Sequence, residues 1–260
     1  MKIRVTRTSM PSFEEYSEMI KPLWDSHMLT NMGELHERFT HELEALLGCR
    51  VTLFSHGHSA LEAALRVLGL PAGSKVVTTP FTFVSTVHAI VRAGLQPVFC
   101  DVLESDGTMD PECLEALMGP DVCAVLPVHV YGNPCDMDAI EAIARMHGAR
   151  VLYDAAHAFG VKYPIESGMT APAHPVIPGP TGDPVTSGAQ SVDRRGDMSV
   201  LSFHATKVFS TVEGGAVCYR DEAYAQPLAD ERNFGIRDES HCEAVGGNSK
   251  LSELHAAMGL

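Results

Sequence analysis

Between Arg50 and Asp154 short runs of Val, Leu, Ala and Phe recur, and between them lie stretches whose apolar residues repeat at helical spacing. Few folds accept that alternation. Apolar runs of this length read as strands buried on both faces, and the helices between them are the crossovers that parallel pairing requires. The spacing predicts strands over Arg50–Phe54, Lys75–Thr79, Pro97–Asp101, Ala124–Val130 and Arg150–Asp154. It predicts helices over Ala60–Leu68, Val84–Ala93, Asp110–Met118 and Met137–His147. The expected fold class is α/β, a three-layer α/β/α sandwich around a mostly parallel central sheet.

Two amphipathic helices precede this body. One follows Ser12, with Glu15 placed to complete a capping box, and the other runs from Glu34 to Leu47. The domain organisation expected is an N-terminal helical segment, residues 1–33, and a large domain over 34–260. Pro164 to Arg195 is rich in Pro, Gly, Ser and Thr without either periodicity, and reads as a long surface loop at 164–195. A strand over Met198–Phe203, a helix over Asp221–Asp230 and a last helix starting near Leu251 complete the chain.

With 260 residues and 45% hydrophobic content the chain can bury a sizeable core. A net charge of -14 without a long acidic block argues against nucleic acid and anionic membrane as partners, so an anionic ligand must be held by local donors. Seven cysteines without CxxC spacing fit a reducing compartment, with neither a disulfide framework nor a metal site expected. No run approaches a membrane span, and a cytoplasmic location is expected.

In parallel sheets ligands bind beyond the carboxyl ends of the strands, where Phe81–Phe83, His129–Gly132 and Asp154–His157 fall. Lys207 follows the strand Met198–Phe203 among apolar neighbours; desolvation there favours a neutral, nucleophilic amine, against the plainer reading of a snorkelling surface lysine. Gly57, His58 and Ser59 sit between a strand and a helix, where free backbone N–H groups can hold a phosphate, or where Ser59 simply caps the helix. Asp154 can hold a protonated ring nitrogen or cap the next helix, and His157 stands three residues on. Phe83 can stack on a ring or pack in the core. An aromatic ring with a protonatable nitrogen, a phosphate and an aldehyde together describe pyridoxal 5'-phosphate.

The runs LTNMG, FSHGHSALEAAL, TPFTFVSTVHAIVRAGLQPVFCDV, PVHVYGNPCDMDAI, YDAAHAFG, LSFHATKVFSTVEGGA and GGNSKLSELHAAMGL carry a wider signal. As a set, in this order, they resemble the nucleotide-sugar aminotransferases of the DegT/StrS type, a branch of the fold-type I pyridoxal phosphate enzymes. The resemblance implies that Lys207 forms the Schiff base with the cofactor and moves the proton, that Asp154 pairs with the pyridinium nitrogen, and that Phe83 stacks on the ring. It implies that His157 lies near the phenolic oxygen, that Gly57, His58 and Ser202 match phosphate-binding positions, and that Asn248 reaches the phosphate of a neighbouring subunit in a homodimer.

The activity implied is transfer of an amino group, with glutamate the expected donor, to a keto group of a nucleotide-linked deoxysugar for cell-envelope polysaccharide or secondary-metabolite synthesis. Three departures stand out. His58 occupies a position where the family usually has a small residue, the 164–195 loop is longer than usual, and the family continues past GGNSKLSELHAAMGL into a small C-terminal domain that this sequence is expected to lack. A non-catalytic or regulatory homologue is therefore the alternative. A sugar dehydratase is a weaker one, because dehydrating relatives replace the lysine by histidine.

Overall fold

The computed structural model of the chain describes residue 6, residues 8–164 and residues 189–260. Helices α1 (Phe13–Ile20), α2 (Leu23–Ser26) and α3 (Glu34–Leu47) come first, and α1 begins with the expected capping box between Ser12 and Glu15. Next come β1 (Arg50–Phe54), α4 (Gly57–Val67), β2 (Lys75–Thr78), α5 (Val84–Arg92), β3 (Gln96–Phe99), α6 (Pro111–Leu117), β4 (Val122–Leu126), α7 (Met137–Met146) and β5 (Arg150–Asp154). The chain continues through β6 (Lys162–Pro164), β7 (Ala189–Ser191), β8 (Met198–Ser202), β9 (Gly215–Tyr219), α8 (Ala225–Arg232), a short hairpin and α9 (Glu253–Gly259).

Among the described residues, seven strands form the central sheet in the order β1-β9-β8-β5-β4-β2-β3. The pairs β2/β3, β2/β4, β4/β5 and β5/β8 are parallel, while β9 is antiparallel to both β8 and β1. Its direction is set by its connection. Residues 203–214 contain no crossover helix, so the chain returns beside β8 the opposite way. Because β9 is reversed, β1 again runs with β8, and the carboxyl ends of β1, β8 and β5 share one edge.

Both faces of the sheet are covered, which makes the three layers. One core joins Phe39 and Leu43 of α3, Leu114 of α6, Ile140 of α7 and Ala256 of α9 to the sheet. The other joins Leu61 and Leu65 of α4, Ile90 of α5 and Leu228 of α8.

Most expected boundaries shift by one or two residues, but three differ for physical reasons. Helix α4 starts at Gly57 rather than Ala60, because the His56 imidazole caps it: Nδ1 accepts the Ser59 N–H at 3.0 Å. Strand β4 spans Val122–Leu126 rather than Ala124–Val130, since Pro127 has no N–H to continue the ladder. The chain then turns through Val130–Gly132, with Tyr131 in the left-handed region at φ 54°. Of the loop expected at 164–195, residues 165–188 lie outside the described residues, and its ends are not loop. Strand β6 pairs antiparallel with β7, and a 3-10 turn spans Val192–Arg194. Three residues such as Ala189–Ser191 show no period, so only pairing with a partner makes them a strand.

Candidate functional site

At the shared edge of β1, β5 and β8 opens a cavity of about 550 Å³, and Gly57, His58, Phe83, Asp154, His157, Ser202 and Lys207 all line it. Each arrives by a different route. Strand β5 ends on Asp154, whose buried carboxylate is fixed on both oxygens: Oδ1 accepts the Ala156 N–H at 3.1 Å and Oδ2 accepts the Thr86 hydroxyl at 2.7 Å. Thr86 also meets the Thr82 hydroxyl at 2.7 Å. A carboxylate has more acceptor positions than these donors occupy, so it retains capacity toward the cavity.

Lys207 stands on the connection between β8 and β9. That segment is tied by Phe203 N–H to Gly214 O (2.9 Å) and Ala205 N–H to Val212 O (2.8 Å), with the Lys207 N–H donating to His204 O at 2.9 Å. Phe209 stacks on Phe159 at 4.5 Å between ring centroids and meets Phe203 edge-on at 5.3 Å, which pins the backbone on either side of the lysine. Val212, a β-branched residue, is held at φ 71°, a strained conformation maintained by these contacts. Partial burial lowers the Lys207 pKa below the usual lysine value, and the negative Asp154 opposes the shift. The His157 pKa is lowered by partial burial and by the Lys207 cation, again against Asp154. Its ring lies parallel to that of Tyr131, with centroids 6.3 Å apart.

Gly57 opens α4 directly over the β8–β9 pair. A Cβ there would stand 2.9 Å from the Ser202 Cβ, and a Cβ on Gly215 would stand 2.5 Å from the Gly57 nitrogen. The absence of a side chain at both positions lets the first turn of α4 lie against the strands, with its unpaired N–H groups at the cavity. His58 is tethered: Nδ1 meets the Ser85 hydroxyl at 2.8 Å, and Nε2 lies 3.0 Å from Glu62 Oε1.

Two expected residues are elsewhere. The Ser59 hydroxyl donates to the His56 carbonyl at 2.8 Å, and Ser59 lines a separate pocket with Glu62, Arg66 and Arg92. Asn248 is exposed, its Oδ1 accepts from Lys250 at 2.7 Å, and it does not line the cavity. Phe83 lines the cavity but is 74% exposed, so it neither packs in the core nor is covered from outside. Ser85, His56, His204 and Glu213 line the cavity without having been singled out from the sequence, and Thr82 lines it from within the segment Phe81–Phe83. Ser85 and Thr86 did carry a signal: two hydroxyls in the first turn of a largely apolar helix, with Thr82 just before its cap.

A mostly parallel sheet between two helical layers, with a partly buried lysine and a buried carboxylate at the carboxyl edge, is the large-domain fold of the fold-type I aminotransferases. The structure of DesI with its TDP-sugar product superposes with a TM-score of 0.81 at 31% identity, covering 98% of this chain and 58% of that one. That of 3-amino-5-hydroxybenzoic acid synthase gives 0.82 at 25% identity, covering 98% and 63%. The profile of the DegT/DnrJ/EryC1/StrS aminotransferase family matches residues 12–260, and the chain belongs to that family. Among its relatives is dTDP-4-amino-4,6-dideoxy-D-glucose transaminase of Shigella dysenteriae, 39% identical over 99% of this chain and 64% of the relative. The Escherichia coli transaminase of the same name is 35% identical over 99% and 63%. The chain thus spans just under two thirds of these relatives' length.

Proposed function

We propose that the chain provides the cofactor-binding large domain, residues 34–260 behind a helical segment at 1–33, of a pyridoxal 5'-phosphate-dependent nucleotide-sugar aminotransferase. The observation that carries this reading is the meeting of Lys207, Asp154 and the Gly57 turn in one cavity. The residues present fit the group. The space at Gly57 that a Cβ would fill, the acceptor capacity left on Asp154 and an amine of lowered pKa correspond to its phosphate, its ring nitrogen and its aldehyde. Bound there, the cofactor supplies a carbon that takes up an amino group and a ring that accepts the electrons of a broken C–H bond.

In this reading the α4 N-terminus and Ser202 bind the phosphate, and His58 stands beside them. Asp154, held by Thr86, keeps the ring nitrogen protonated. Phe83 and His157 orient the ring and its phenolic oxygen. Lys207 Nζ would be the group that takes a proton from the amino donor's Cα and carries it, and its lowered pKa favours the neutral amine that such a base requires. Glutamate is the proposed amino donor; the proposed acceptor is a nucleotide-linked keto-deoxysugar, and for the sugar the names of the transaminase relatives are the support.

A second copy of the chain is the proposed partner. Phe83 and Tyr131, each 74% exposed at the cavity side of the sheet, favour a covering subunit, and Asn248 is the residue proposed to reach across. None of the described helices is long and apolar enough to cross a membrane, and all seven cysteines are unpaired, which supports a reducing cytoplasm as the location.

The test is an absorbance titration with pyridoxal phosphate followed by glutamate. The expected result is a visible band that is missing in Lys207→Ala and bleaches with glutamate. A band of equal strength in the variant overturns the role of Lys207, and no band in either protein overturns the cofactor assignment.

A further inference from the structure

The tether on His58 has a direction that likeness to the family does not supply. Nε2 lies 3.0 Å from Glu62 Oε1, and burial alone would raise the Glu62 pKa, but the contacts of Arg92, His58 and Arg66 hold it below its usual value. A carboxylate only accepts, so Nε2 carries a hydrogen in either charge state of the ring. The remaining nitrogen, Nδ1, is 2.8 Å from the Ser85 hydroxyl. In the neutral ring Nδ1 accepts the Ser85 O–H, and Ser85 is left with only its oxygen lone pairs to offer the cavity. In the charged ring Nδ1–H donates to Ser85 Oγ, and the Ser85 O–H is released to donate into the cavity.

We infer that Glu62, His58 and Ser85 form a relay in which protonation of His58 turns the Ser85 hydroxyl into a phosphate donor, so that binding of the cofactor's phosphate takes up a proton. The inference rests on the proposed phosphate seat beside Gly57. An anion has no use for a lone pair and favours the donor state, and by linkage it must then raise proton affinity at His58. His58 and Glu62 are positioning residues here, and Ser85 touches the ligand.

Charged groups of both signs face the ring. Glu62 is shared with Arg66 of α4 at 3.2 Å and with Arg92 of α5, and Arg66 in turn holds Glu231 of α8 at 3.2 Å. The His56 ring lies parallel at 6.4 Å. Across the cavity stand Lys207, Asp154 at the end of β5, and the pair of His204 with Glu213 at 3.6 Å before β9. Cations and carboxylates thus surround the ring on both sides, and the incoming phosphate tips the balance.

The probe is pyridoxine 5'-phosphate, which has the phosphate but no aldehyde for Lys207, with pyridoxine as its phosphate-free control. Calorimetry in two buffers of different ionisation enthalpy, from pH 6 to 9, reads affinity and proton uptake together. The expected result is that the parent's affinity falls by up to about tenfold per pH unit above the point where the free ring loses its proton. Above that point the parent takes up more proton on binding than His58→Gln or Ser85→Ala, by up to one; this difference removes the ligand's own titrations. Ser85 lies at the surface end of α5, so its variant carries the test should His58→Gln not fold. Equal uptake in parent and variants overturns the relay and leaves the phosphate seat standing. Equal affinity of the parent for pyridoxine and its phosphate overturns the seat itself, and the relay with it.

Discussion

Replacing Gly57 by Ala tests whether close packing, rather than chain flexibility, sets the turn proposed to bind phosphate. The new methyl would start 2.9 Å from the Ser202 Cβ, 3.2 Å from its Oγ and 3.3 Å from its Cα. None of these atoms is the free end of a long side chain, and Ser202 closes β8, which is paired on both sides. Ordinary contact begins at 3.4 Å, so the start of α4 must retreat by about 0.5 Å (3.4 less 2.9). Forcing a methyl into a filled interior costs about 1–3 kcal/mol, and alanine recovers up to about 1 kcal/mol over glycine in a helix. The net expectation is a loss of about 1–2 kcal/mol, read as a lower urea midpoint at unchanged slope. The retreat also carries the first N–H groups of α4 away from the cavity, so pyridoxal phosphate should bind at least about tenfold more weakly, since roughly 1.4 kcal/mol is a factor of ten. Gly119→Ala is the control, because among the described residues its Cβ meets only the Asp121 carboxylate, at 3.4 Å. A Gly57→Ala protein that unfolds and binds like the parent would refute the argument that this contact positions the turn.

Three further outcomes rest on the same geometry. Lys207→Ala should abolish transamination while leaving the unfolding free energy within about 0.5 kcal/mol of the parent, as for a side chain outside the core; near-parental turnover would remove Lys207 from the mechanism. Thr86→Val keeps the shape of a fully buried side chain but deprives Asp154 Oδ2 of its donor, which should cost about 1–3 kcal/mol of stability together with cofactor affinity; a neutral effect on both would show that the hydroxyl does not hold the carboxylate. Burial, helped by the Arg232 cation, lowers the His36 pKa to about 4 from 6.5. The unfolded chain therefore binds the proton first, and the stability from a neutral His36 is complete above pH 6.5 and lost as pH falls toward 4. That amounts to about 3 kcal/mol, and His36→Gln should flatten the acid limb of the stability curve by close to one proton. An unchanged slope in the variant would contradict the assignment.

Much of the site was legible in the chain because its signals are local. A buried strand ending on Asp154, a glycine between strand and helix, and a lysine after an apolar run are each set by neighbours in sequence. The family motifs then order them. The alternation of strands and helices likewise determined the layers and the parallel body of the sheet, since short apolar strands and crossover helices have few other arrangements.

Other features needed the fold. No residue in β9 says that it inserts between β1 and β8, yet that insertion brings Gly57 over Ser202 and Gly215, because strand order depends on contacts between distant segments. His56 caps α4 in place of Ser59: its Nδ1 accepts the Ser59 N–H and its carbonyl accepts the Ser59 hydroxyl, so Ser59 lies inside the first turn and not at the cavity, and only the backbone path decides where the helix begins. Thr86 meets Asp154 across 68 positions of sequence, and His58 meets Ser85 across 27. The sequence by itself determined which chemical groups the chain carries and the local elements that present them, since propensity and periodicity act over a few residues. Only the tertiary structure decided which of those groups meet, because hydrogen-bond partners and close packing over such separations exist only once the sheet has brought its carboxyl edges together.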